Sequence, residues 1–198
     1  MDHEIVERIG RISAALAVVD NKRIEMVKPT ISDDGLTVDY DFSCGQTDAQ
    51  ASNHLHSAIH QIASFLDHLK RWARNNNVDP KAIDKFLKQS PEICIILDLA
   101  NNDKHGYPPR NKGHSGKSPQ ITRVDCGLRM GGQGGGVLTE DGSFIDMTGG
   151  TNSLSIEGVV VDGNGRSLGG THELLAKALG RYEESLSRFG VHNAEGSL

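Results

Sequence analysis

Between Thr47 and Asn75, the apolar residues Leu55, Ile59, Ile62, Leu66, Leu69 and Ala73 recur at three- and four-residue steps. That period predicts one long amphipathic helix over 47–75, with Thr47 or Asp48 as its cap and Asn75-Asn76-Asn77 as its end. A helix of this size spans about 40 Å at about 1.5 Å per residue, and its apolar stripe has to be covered along its whole length by other elements. The rest of the chain offers helices for that. Ile5, Ile9, Ile12, Leu16 and Val19 mark an amphipathic helix over 2–27. Asp79-Pro80 predicts the start of a short helix, because aspartate caps and proline suits a first turn. Residues 91–105 predict another, opened by Pro91, closed by Gly106 and burying Ile93, Ile96, Leu97 and Ala100. A last helix over about 171–189, capped by Thr171, carries Leu174, Leu175, Ala178, Leu179 and Leu186.

Strand patterns are shorter. Leu36 to Phe42 alternates apolar and polar residues after a turn at Asp33-Asp34-Gly35. Four alternating runs near 121–129, 136–140, 143–147 and 153–161 read as a β-meander over 120–162, with Asp141-Gly142 as a hairpin turn. Fourteen of the 23 glycines lie between 127 and 170, and Gly131–Gly136 reads as a loop. Gly163-Asn164-Gly165 reads as a turn. The expectation is one α+β domain over 1–198: an antiparallel helical bundle, mainly 1–106 plus the C-terminal helix, with an appended small antiparallel β-sheet.

With 198 residues the chain can build a real core, and an aromatic content of 5% makes that core aliphatic. A net charge of −5 argues against a general nucleic-acid coat protein and leaves room for a local basic site. Cys44, Cys94 and Cys126 are odd in number and widely spaced, which argues against a disulfide framework or thiolate zinc site and for a reducing compartment. The acidic start, Met1-Asp2-His3-Glu4, is unlike a signal peptide, and no apolar run reaches the roughly 20 residues that span a bilayer. The expected location is cytoplasmic, with no membrane partner.

Two polar helix faces hold the candidate chemistry. On the long helix, His56, His60, Asp67 and Arg71 share a flank. On the 91–105 helix, Cys94, Asp98, Asn101 and His105 share a side. If these two helices pack antiparallel, the turn with His105 comes level with His60, and His56, His60, Asn101 and His105 form a cluster. The alternative is that both are solvated faces without chemistry. For 98–105, a run of poor helix formers at a helix end favours a functional site.

The segment Asp98-Leu99-Ala100-Asn101-Asn102-Asp103-Lys104-His105 resembles the signature helix of the HEPN superfamily and, more loosely, a bacterial Asp-Leu-x-Asn-x-x-Lys-His group. HEPN domains are small helical bundles, many of them RNases or toxins in defence and toxin–antitoxin systems. Their motif is an arginine, a polar residue (often Asn), a variable stretch and a histidine. Asn101 and His105 match the last two, and Ala100 stands at the arginine position. The resemblance implies an RNA-directed protein, either a weak metal-independent RNase or an RNA binder that has lost catalysis. It needs no cofactor and often acts as a homodimer with a shared cleft. Its catalytic set is His105, Asn101 and Lys104, with Lys104 or Arg71 in place of the arginine.

Between Lys104 and Val124 there is no Asp or Glu. Arg110, Lys112, Lys117 and Arg123, with Arg71 from the long helix, form a candidate nucleic-acid-binding set; a solvated basic loop or a dock for an acidic protein are the alternatives. Asn111-Lys112-Gly113-His114-Ser115-Gly116-Lys117-Ser118 looks like a phosphate loop, but Asn111 replaces its first glycine, and no strand precedes it or helix follows it. Gly113-His114-Ser115-Gly116 falls short of a nucleophile elbow. Two further functions stand behind the RNA reading: a non-catalytic protein-interaction module, then a metal-dependent hydrolase built on His56, His60 and Asp98 (or Asp67) with His105.

Overall fold

The computed structural model describes residues 3–20, 25–26, 30–32, 35–37, 40–41, 47–107, 113–130, 136–138, 144–146 and 152–191. Its helices are α1 (His3–Asp20), α2 (Asp48–Asn75), α3 (Pro80–Leu87), α4 (Pro91–His105) and α5 (Thr171–Arg188). Strands β5 (Gln120–Met130), β8 (Asn152–Val161) and β9 (Ser167–Gly170) form an antiparallel sheet in the order β5–β8–β9. Three short antiparallel pairs lie outside it: β1 (Glu25–Met26) with β4 (Tyr40–Asp41), β2 (Thr30–Ser32) with β3 (Gly35–Thr37), and β6 (Gly136–Leu138) with β7 (Phe144–Asp146). The expected α+β class is what the fold shows.

Local chemistry accounts for the helix ends. Thr47 Oγ1 accepts the Gln50 backbone N–H at 3.3 Å while the Gln50 side chain accepts the Thr47 N–H at 2.9 Å, a reciprocal capping box. Asp79 caps Pro80–Leu87 by accepting the Lys81 N–H at 2.9 Å. Ser90 caps α4 through the Ile93 N–H at 3.4 Å, and Gly106, at φ +83°, ends it. The last helix departs from expectation. Its cap position is Gly170, which offers no side-chain bond, and Thr171 is instead its first residue. Thr171 is fully buried, and its hydroxyl oxygen accepts the Gly158 N–H at 2.8 Å, satisfying a backbone donor of β8.

The strands also differ from the expected meander. β5 and β8 pair directly along almost their whole length, β6 and β7 among the described residues pair with each other, and β9 was unforeseen. β9 escapes a periodicity test because Ser167-Leu168-Gly169-Gly170 has one apolar residue. The turn before it is fixed by Asp162, whose Oδ1 accepts the N–H groups of Asn164 and Arg166 at 2.8 and 2.9 Å. The first helix ends at Asp20, short of the expected 27, and the strand expected over 36–42 is divided between β3 and β4. Asp33-Asp34, Asp141-Gly142, residues 131–135, Arg110 and Lys112 lie outside the described residues.

α2 is the hub and touches α1, α3, α4, α5, β5 and β8. Leu55, Ile59, Ile62 and Leu69 from α2 lie in one core with Ile5 and Ile12 from α1, Ile93 and Ile96 from α4, and Leu175 and Ala178 from α5. Ile156 and Val160 of β8 belong to the same core, so the sheet is integral to it. α5 is clamped to α3 by Arg181, whose Nη2 donates to the Phe86 carbonyl at 3.2 Å and whose guanidinium sits 3.6 Å from the Phe86 ring centre.

Tyr182 packs edge-on against Phe65 at 5.1 Å between ring centres. Its hydroxyl is buried without a hydrogen-bond partner, and burial pushes the phenol pKa up. A buried hydroxyl without a partner lowers stability. Tyr182→Phe is therefore expected to leave stability unchanged or raise it by about 1 kcal/mol, read from the midpoint of urea unfolding.

Candidate functional site

The last two turns of α4 send polar side chains in three directions. The core stripe Ile96–Ala100 continues into Asp103, which points at α2. Its Oδ2 lies 2.6 Å from His60 Nε2 and its Oδ1 lies 3.2 Å from His56 Nδ1. One carboxylate thus holds two imidazoles spaced i, i+4 on α2. Both histidines keep their other ring nitrogen free of this contact and are about one-third exposed, at 33% and 27%.

On a second flank, Asp98 and Asn102 hold the segment that leads to β5. Asp98 is 3% exposed. Its Oδ1 accepts the His114 N–H at 2.7 Å, and its Oδ2 accepts both the Ser115 N–H at 2.7 Å and the Ser115 hydroxyl at 2.6 Å. One turn on, the Asn102 side chain donates to the Pro119 carbonyl at 2.8 Å. The third face is solvent: Asn101, Lys104 and His105 are exposed.

The candidate residues therefore separate. His56 and His60 come together as expected, and at the expected level along α4. Their partner is Asp103, which the expected polar face left out, rather than Asn101 or His105. Cys94 and Asp98, placed on the polar side, are buried instead. The expected polar face fails here because 93–100 is enclosed on almost every side, so helix polarity no longer tracks solvent. Ala100 is 2% exposed and belongs to the core, so an arginine there would have no room. Arg71 is paired with Glu4 of α1 at 3.2 Å, beside His68, whose Nδ1 is 2.8 Å from the same oxygen. It lies about 16 Å along the helix from His60. Asp67 is exposed on α2. Arg123 is ion-paired with Asp125 on β5, which removes it from the free positive charges. Lys117 and His114 are exposed.

A metal set of His56, His60 and Asp98 is not assembled, because both Asp98 oxygens are taken by the 114–115 backbone. Among the described residues, no group of three or more His, Cys, Asp or Glu is arranged to hold a metal ion. The direct bonds to Asp103 occupy the ring nitrogens facing it. What the arrangement offers is proton transfer: a carboxylate that fixes imidazole orientation and stabilises an imidazolium.

The Asp103 carboxyl lies below its ordinary value of 3.8. The hydrogen bond from His60 is the main cause, and the nearby charges of His56 and Lys104 add to it against the partial burial that opposes them. A carboxyl lowered in the folded state contributes stability that is present above the unfolded value and lost as pH falls through the folded one. Asp103→Asn is accordingly expected to leave a shallower fall in melting temperature below pH 3.8 than the parent chain shows, measured by thermal unfolding at steps of pH.

Both the shared carboxylate and the buried Asp98 lay within the segment singled out from sequence, whereas Ser90, Ser115 and Pro119 gave no signal as partners. Comparison with known proteins adds no identification: no family model, no curated protein and no solved structure matches this chain.

Proposed function

We propose that this chain is a HEPN-like, RNA-directed protein whose acid–base centre is the His56–Asp103–His60 group. The observation that carries the reading is that two partly exposed imidazoles share one carboxylate, at 3.2 and 2.6 Å. Metal-free RNA cleavage needs a base to take the 2′-hydroxyl proton and an acid to give a proton to the leaving 5′-oxygen. Two histidines one helical turn apart supply both, one neutral and one protonated, and Asp103 stabilises whichever is charged. The 2′-oxygen bonds to phosphorus as the phosphorus–5′-oxygen bond breaks, leaving a cyclic phosphate and a 5′-hydroxyl. Lys104, next to Asp103, and exposed Lys117 supply positive charge for the phosphate. Lysine lacks the planar fork of the family's arginine, which fits a weak enzyme. His105 and Asn101 flank the centre on the solvent face and contact the RNA strand.

The test is end-labelled single-stranded RNA at low salt with EDTA present. Cleavage that survives EDTA supports the reading. Binding without cleavage leaves an RNA binder on the same surface. No binding and no cleavage defeats it and favours a protein-interaction module.

A further inference from the structure

The phosphate-loop look-alike over 113–118 has an occupant. Gly113, Gly116 and Ser118 take left-handed backbone conformations, at φ +62°, +70° and +49°, and the turn aims the His114 and Ser115 N–H groups at one point. At that point sits the Asp98 carboxylate. Successive backbone N–H groups converging in such a turn make an anion-binding concavity, and hydrogen bonds from them to a carboxylate are of the strong, charge-assisted kind. The fit is close: a Cβ on Gly113 would stand no more than 2.7 Å from the carboxyl carbon and both oxygens of Asp98. The far side of the loop is held as well, by Gly163 N–H donating to the Lys117 carbonyl at 2.9 Å. β5, not a helix, follows the loop, so a nucleotide phosphate has no helix N-terminus to complete its site.

We propose that residues 113–118 form an anion cradle filled by the chain's own Asp98, and that this internal anion makes Asp98 the positioning residue for Lys117. His114 and Ser115 are fixed at Asp98 and Pro119 at Asn102, so Lys117 is bracketed along the flank of α4. An external phosphate does not displace the catch, since it would strand a buried carboxylate. That Lys117 then meets an RNA phosphate rests on the function proposed above.

The test is the Asp98→Ala variant, followed by backbone amide exchange at His114 and Ser115 with formate or with chloride at equal ionic strength. We expect exchange at both amides to rise at least about tenfold, the mark of a lost hydrogen bond worth at least about 1.4 kcal/mol, and formate, not chloride, to restore protection. Anion-specific recovery separates a filled cradle from mere packing. Amides that stay protected without any added anion, or chloride acting as well as formate, would overturn the proposal. Where Asp98→Ala does not fold, Asp98→Asn decides: the amide keeps the shape and removes the charge, so faster exchange at His114 and Ser115 in a folded chain is expected, and exchange equal to the parent sinks the idea. RNA affinity is read separately, with Lys117→Ala as reference. If formate restores the loop but neither Lys117→Ala nor the loosened loop alters RNA binding, the cradle stands and the RNA role of the loop fails.

Discussion

On the function proposed above, replacing His60 with alanine is expected to cut metal-independent RNA cleavage by about 10²–10⁴-fold, the range for losing a general acid or base. His60 makes the shorter contact with Asp103, at 2.6 Å, so its ring is the better fixed of the two. His56→Ala should fall in the same range, and the double variant should lose little more, because a proton relay fails once either end is missing. Asp103→Asn keeps the shape and removes the charge, so its loss should lie between that of the parent and that of His60→Ala. His105→Ala is the control that separates the geometry from the sequence motif. The motif makes His105 essential, whereas the structure leaves it exposed beside the centre, so a small loss carried in KM is expected. Initial rates on end-labelled RNA with EDTA present decide this. If His105→Ala is dead and His60→Ala is active, the assignment of roles is wrong.

The second large effect concerns stability. At Gly158, α2, β5 and α5 come as close as they can. A Cβ there would meet Ile121 Cγ2 at 2.9 Å, Leu55 Cδ2 at 3.0 Å and Thr171 Cγ2 at 3.1 Å. The same residue's N–H is held by Thr171, so the strand cannot back away without breaking a buried hydrogen bond. Gly158→Ala should therefore cost about 1–3 kcal/mol, the usual penalty of overpacking. At about 2–4 °C per kcal/mol for a chain of this size, the melting temperature should drop by several degrees. Pairing it with Leu55→Ala, which opens space at the point of contact, should give less than the sum of the two losses, since contacting sites couple. Additive losses in that double variant would mean the clash is not what limits the site.

The helices were legible because their information is local. Thr47, Asp79-Pro80 and Gly106 mark ends by their own chemistry, and the α2 stripe sets its buried face by period alone. Thr171 shows the limit: a threonine before an apolar run has the look of a cap, but whether its hydroxyl turns to its own helix or to a strand is decided by tertiary packing. The site was legible along the helix axes and not around them. Counting residues placed the end of α4 level with His60. Which side of α4 faced α2 depended on a loop that covers Asp98, and nothing in the sequence said that His114 and Ser115 would come back to satisfy a buried carboxylate. The pairing of β5 with β8 across a long intervening segment was hidden for the same reason.

The place of Tyr182 has a consequence for how the chain is made. Its ring lies against Phe65, and α5 supplies one wall of a core that the sheet also lines and whose other helices are all encoded before it. On a ribosome, the first four helices emerge long before that wall exists, with the inner face of α2 still wet along the side that Leu175, Ala178 and Tyr182 will cover. Vectorial folding can set the pairings among α1 to α4 early, but closure waits until α5 has emerged, so chains cut short anywhere before α5 are the ones a quality-control protease should find open.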